Sequence, residues 1–347
     1  MYMEQISRKK VHYPVSPAFG RYLARHGRNI ELPVTYDMLR DFRESVCLYD
    51  REGRDTLWES VFYPPSVTAE LHRGLKRTYS MLKSTGYTQA EEHLQVERVD
   101  YCVFGNSKPF RVRIVNTYND VHDYFYVKVA DASRVWGLEL EHLLSPYRIN
   151  YLLDGQTLIE EHIAGVPGDV FAAQLMDRPE FNPRRIAKEF VKFNERCFMR
   201  LLGDMRSYNF VFDITRDFDD IQFRIRAIDF DQQAYEGRRN VYLPQFFKEN
   251  AVFVEQVTRL LHPDVIRQYQ MEERSLFHRR VRGEYHRLSD LQRTLAQEPL
   301  SLPDKVEALR SALAAHHGRE GFLKCTTMPQ VLHLHIKCIV RRDLRGT

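Results

Sequence analysis

Cysteine is sparse and scattered. The 347 residues hold five, Cys47, Cys102, Cys197, Cys325 and Cys338, and no two stand at metal-ligand spacing. An odd, dispersed set argues against a full disulfide framework and against a zinc-finger type of site. No apolar run approaches the roughly 20 residues that a spanning helix needs. Residues 1–13 are polar, with no apolar core, so no secretory leader is expected. A reducing, cytoplasmic setting is the expectation. Excess charge is also lacking: the net value is +4, which does not indicate nucleic acid as a partner. Internal repeats are absent. What is present is ordinary for a globular chain, 43% hydrophobic and 28% charged, with length enough for two or three packed units.

One stretch organises the rest. Phe210-Val211-Phe212 and the residues from Ile221 to Ile228 are β-branched and aromatic, and between them lies an acidic turn, 213–220. The pattern predicts a β-hairpin. Asp204 and Asn209 stand just before it, Asp229 and Asp231 just after it. A hairpin brings its ends together, so these four oxygen-bearing side chains are expected at one edge, where they suit a hard cation such as magnesium. The alternative is an acidic hairpin whose carboxylates are simply solvated.

Asp204 and Asn209 are five apart, the interval of D-x-x-x-x-N in a kinase catalytic loop. Gly203-Asp204 with Asn209, followed by Ile228-Asp229-Phe230, resembles the protein-kinase-like superfamily, and the Gly-Asp form is closest to its aminoglycoside and choline phosphotransferase branch. The resemblance covers about residues 96–240. It implies an α+β, bilobal, protein-kinase-like fold with a small β-rich N-lobe and a helical C-lobe, here with an added N-terminal helical region. It implies Asp204 as the base or hydroxyl-orienting residue, and Asn209, Asp229 and Asp231 as metal ligands. ATP and Mg²⁺, or Mn²⁺, are the implied cofactors, and a hydroxyl the implied acceptor.

Upstream elements extend the likeness. The alternating stretches 99–103 and 110–114 flank a small-residue tip containing Gly105, Asn106 and Ser107, which the resemblance places over nucleotide phosphates. Lys128 lies in an otherwise apolar strand, 124–130, and a buried ammonium needs a partner. The resemblance makes it a phosphate-holding lysine fixed by Glu139 or Glu141 on the helix expected at 133–144. Those two glutamates are two apart and cannot share a helix face. Residues 157–168 resemble the hinge, where Glu161, His162 and Ile163 would meet the base. Two departures stand out. Tyr126 occupies the strand position where many kinases have a small residue, and Leu202 stands where the related branch often has His.

Asn182-Pro183 marks a helix start, with Ile186, Phe190, Phe193, Cys197 and Leu201 on its buried side. Helices are also expected at 17–26, 36–49, from Ser66 to before Gly86, and at 245–261, 264–282 and 303–316. The run 331–337 alternates like a strand, and its two His residues make a poor zinc signature. No Ala-Pro-Glu motif follows Asp231. The expected parts are 1–94, an N-terminal helical region; 95–164, N-lobe and hinge; and 165–347, C-lobe with a helical extension. Two other functions fit the same residues: a weak or inactive kinase-fold scaffold recruiting a protein through its N- or C-terminal helices, and nucleotidylyl transfer.

Overall fold

A computed structural model describes residues 10–50, 52–83, 88–104, 107–217 and 220–343. In chain order the elements are α1 (Pro17–Arg25), α2 (Tyr36–Arg40), β1 (Glu44–Tyr49), β2 (Asp55–Phe62), α3 (Pro65–Lys83), β3 (Leu94–Cys102), β4 (Phe110–Asn116), β5 (Val121–Val129) and α4 (Ala132–Leu144). Then come β6 (Tyr151–Asp154), β7 (Thr157–Glu161), β8 (Val166–Pro167), α5 (Gly168–Gln174), α6 (Pro183–Arg200), β9 (Phe210–Asp217) and β10 (Asp220–Ala227). The chain ends with α7 (Ala251–Leu260), α8 (Pro263–Gly283), α9 (Tyr285–Leu295), α10 (Pro303–His317) and α11 (Met328–Asp343). Two compact units result. The first comprises 1–132 with 149–162, and the second 133–148 with 163–347. The chain is thus α+β, sheet-rich toward its N-terminus and helical toward its C-terminus.

The first unit is built on one sheet ordered β1-β2-β3-β4-β5-β7-β6. Side chains alternate across a strand, and β4 and β5 each present an apolar face and a more polar one. Phe110, Val112 and Ile114 of β4 and Phe125 and Val127 of β5 are buried with Leu71, Leu75 and Leu82 of α3. The register pairs Arg111 with Tyr126 and Arg113 with Tyr124, which places Arg111, Arg113, Tyr124, Tyr126 and Lys128 on the opposite face. Arg73 and Arg77 on the outer face of α3 are exposed.

The second unit is organised by α6. Asn182 caps its N-terminus by accepting from the Arg184 amide, and Pro183 takes the first helical position. Ile186, Phe190, Phe193 and Cys197 are buried along it, as their spacing predicts. Leu201 ends the helix in the left-handed region, at φ 52°. The β9–β10 hairpin is antiparallel and pairs Phe210 with Ala227, and β8 adds to β9. Gly168, at the start of α5, lies so close to this hairpin that a Cβ there would sit 2.4 Å from Phe210 Cε2 and 2.6 Å from the Ser207 carbonyl oxygen. Gly168→Ala is therefore expected to destabilise the protein by about 1–3 kcal/mol through overpacking. A thermal melt followed by circular dichroism checks this; an unchanged midpoint would contradict the close approach.

Two sequence expectations are corrected. The helix over 36–49 stops at Arg40, and Glu44–Tyr49 is strand β1. Val46 and Tyr49 carry the β-branched and aromatic character that favours a paired strand. The alternating run 331–337 is helical, inside α11. His335 is fully buried and lies with Leu332, Ile336 and Ile339 at helical spacing, so a residue counted as polar belongs to the apolar face. His335 meets His317 at 2.9 Å and the Phe198 carbonyl oxygen at 2.9 Å, whereas His333 pairs with Gln292.

Candidate active site

The loop after α6 holds Asp204 in an uncommon backbone state, at φ 58°. Asp tolerates the left-handed region better than most residues. The loop is tied by main-chain bonds to the segment beyond the hairpin. The Gly203 amide donates to Gln232 O at 3.1 Å, the Asp204 amide to Val241 O at 3.2 Å, and the Ala234 amide to Leu201 O at 2.8 Å. Gly203 suits this closeness: a Cβ would lie tightly at 3.1 Å from both Gln232 O and Val241 Cγ1.

The hairpin brings its ends together as the spacing predicts. The Ile228 amide donates to Asn209 O at 3.0 Å, which leaves Asp229 one residue past the last bond. Asn209 Nδ2 donates to the Asp204 carbonyl at 2.7 Å, so the amide fixes the loop and turns its oxygen elsewhere. Asp229 Oδ1 accepts from the Asp231 amide at 3.0 Å. Burial pushes the Asp204 carboxyl above its usual range; Arg206 pulls it down, and the charges of Asp229 and Glu249 push it further up.

Three arginines that the sequence reading did not assign to the site complete it. Arg206 Nε donates to Asp204 Oδ1 at 2.8 Å, and its Nη1 donates to Glu249 at 2.9 Å. The Arg206 guanidinium also lies 5.3 Å from the Phe247 ring centre. Arg134, on the first turn of α4, donates through Nη1 to Asp229 at 3.0 Å and to Asp231 at 2.6 Å. Arg287 grips the fully buried Glu139 with two bonds, at 2.8 and 3.0 Å. Glu141, two residues on, faces elsewhere and pairs with Arg200. The only sequence signal for these arginines was position: Arg206 two residues after Asp204, Arg134 at the start of the glutamate-bearing helix.

In the first unit Lys128 is buried, and its ammonium donates to Glu160 Oε2 at 2.7 Å. The same ammonium lies 5.3 Å from the centre of the Tyr126 ring. Tyr126 OH meets His162 Nδ1 at 3.3 Å, and burial lowers the His162 pKa from its ordinary value. Glu161 accepts from Lys83 at 2.8 Å and from the Asn150 amide at 2.9 Å. Ile163 is buried in the second unit. Ser107 is partly exposed, while Gly105 and Asn106 lie outside the described residues.

Among the described residues no three His, Cys, Asp or Glu side chains are gathered to hold a metal ion. No helix among them is long and apolar enough to cross a membrane. No protein-family model matches the chain, and no curated protein matches it. Among solved structures the chain is similar to an ethanolamine kinase of Plasmodium vivax, at 13% identity, over 82% of this chain and 92% of that one, with a TM-score of 0.27. A likeness at that score carries no argument about this chain's activity.

Proposed function

We propose that the chain is a phosphotransferase that moves the γ-phosphoryl group of ATP to a hydroxyl of a small-molecule or protein acceptor. The observation that carries the reading is the hairpin closure. It brings Asn209, bonded to the Asp204 carbonyl, against Ile228, the residue before Asp229, and the order of these residues supports the reading. In this reading the acceptor oxygen attacks the γ-phosphorus, the bond to the β–γ bridging oxygen breaks, and ADP leaves. The hydroxyl proton passes to Asp204, whose carboxylate Arg206 holds in one orientation. Lys128 is assigned to the phosphates, and Glu161, His162 and Ile163 to the base.

The donors fit one divalent cation. Magnesium usually takes one or two carboxylates and completes its shell with phosphate oxygens and water. Asp229 is one-third exposed, at 33%, and Asn209 offers its amide oxygen. When bound there, the cation supplies charge neutralisation at the transferring phosphoryl group. Asp229→Asn is expected to weaken Mn²⁺–nucleotide binding about tenfold to a hundredfold, the worth of one charge-assisted contact. Calorimetry with a non-hydrolysable ATP analogue measures it; equal affinity in the variant would make Asp229 structural.

A second reading has its own observation. Arg206 engages Asp204 and Arg134 engages both Asp229 and Asp231, as in a kinase-fold scaffold that binds nucleotide with little turnover. Incubation with γ- and α-labelled ATP and magnesium separates the cases. Transfer of γ label alone supports phosphorylation, transfer of α label supports nucleotidylation, and neither label with nucleotide bound supports the scaffold.

A further inference from the structure

We infer that Arg134 is a built-in cation that occupies the Asp229–Asp231 carboxylate pair, so that Asp231 is not a metal ligand and this pair recruits no divalent ion of its own. The inference rests on the reading of this segment as the cation-facing end of a phosphotransferase site, and it revises one residue of that reading.

Four observations within the second unit support it. The Arg134 side chain is only 4% exposed, yet its Nη1 reaches both carboxylates, at 3.0 and 2.6 Å. A guanidinium so placed cancels one of the pair's two negative charges and fills the space between the oxygens with hydrogen-bond donors. Ser133, one residue earlier, donates from Oγ to the Asp231 carbonyl at 3.2 Å, so the same helical turn is bonded to the same segment. Gly137, one turn on, lets α4 lie against that segment: a Cβ there would meet Phe230 Cβ at 3.1 Å and Phe230 O at 3.2 Å. Finally, Asp229 Oδ1 is shared between Arg134 and the Asp231 amide, which locks the two acids into one turn around the guanidinium.

The electrostatic consequence is direct. A divalent ion bound between Asp229 and Asp231 would sit beside a fixed positive charge, or would have to expel a buried guanidinium from its two partners. Like charges disfavour the first, and the loss of paired burial disfavours the second. The N-terminal end of α4 adds a further positive potential at the same point. A cation carried by the nucleotide is a separate case, because phosphate oxygens already supply most of its shell. Arg134 is accordingly a positioning residue. It sets how many ions the site takes and takes no part in proton transfer.

The experiment uses the full chain without nucleotide. Mn²⁺ is titrated against wild type, Asp231→Asn, Arg134→Met and Arg134→Met/Asp231→Asn, with free ion followed by electron paramagnetic resonance. Wild type is expected to leave the ion free at this pair, matching Asp231→Asn. Arg134→Met, which keeps the aliphatic bulk and removes the charge, is expected to take up one ion per chain, and the double variant to lose it. Uptake by wild type that disappears in Asp231→Asn overturns the inference. So does a folded Arg134→Met that takes up no more than wild type. Should Arg134→Met fail to fold, the comparison of wild type with Asp231→Asn still decides. Failure of the phosphotransferase reading shows separately, as no label transfer from ATP, and leaves these titrations interpretable.

Discussion

Asp204→Asn is expected to slow phosphoryl transfer about 10²–10⁴-fold, the usual contribution of a general base, equivalent to about 3–5 kcal/mol at the transition state. Nucleotide affinity should hardly change, because in the proposed reaction Asp204 acts on the acceptor hydroxyl and not on the nucleotide. Single-turnover rates and equilibrium binding, measured on one preparation, separate the two effects; turnover within a few-fold of wild type would remove Asp204 from the chemistry. A pH dependence accompanies this. Burial, then the charges of Asp229 and Glu249, hold the carboxyl above its ordinary value against the pull of Arg206. The base must be ionised, so wild-type turnover rises with pH through that elevated pKa and levels off above it. The stability sign is the opposite. A carboxyl whose folded pKa exceeds its unfolded one favours the folded state below the unfolded value, and that contribution is lost as pH rises through the folded value. At neutral pH the Asn variant should therefore melt no lower than wild type.

Lys128→Met is expected to cost about 3–5 kcal/mol of stability, because one member of a buried ion pair is removed and the other keeps its charge. Glu160 is 3% exposed and lies 2.7 Å from the ammonium. Removing both charges, as Lys128→Met with Glu160→Gln, should restore most of the loss, since neutral partners of similar volume are tolerated where a lone charge is not. Urea midpoints for the wild type, both single variants and the double variant measure the coupling. The double variant is also the one on which to test phosphate binding: if it binds nucleotide as tightly as wild type, Lys128 has no part in the site. An isolated Lys128 variant cannot separate these effects, because weaker binding and partial unfolding would look alike.

The parts legible from sequence were those set by short-range pattern. The hairpin is written in alternating β-branched and aromatic residues around an acidic turn, and antiparallel closure then obliges Asn209 and Asp229 to approach. The Asn182-Pro183 helix start and the anomalous Lys128 were visible for similar local reasons. Partners chosen by tertiary approach were not. Arg134 is separated from Asp229 by 95 residues, and Arg287 from Glu139 by 148, distances over which no periodicity connects one charge to another. Lys128 was expected to pair with Glu139 or Glu141; the carboxylate seen on it is Glu160 of β7, which pairs with β5, and that strand order is not visible in the spacing. The run 331–337 misled for a different reason: histidine is polar by type, and His335 is apolar by position.

The ties between the Asp204 loop and the segment after the hairpin have a consequence for how this region can be switched. They join Gly203 to Gln232, Asp204 to Val241 and Ala234 to Leu201. The longest spans 37 residues, 241 − 204, and the β9–β10 hairpin within that span already shortens the loop to be closed. Amide protons of Gly203, Asp204 and Ala234 are therefore expected to exchange together, as one cooperative unit. A regulator that pulled the 232–241 segment away would take the backbone of Asp204 with it. Control through that segment would work by dismantling the loop, not by uncovering a loop already in place.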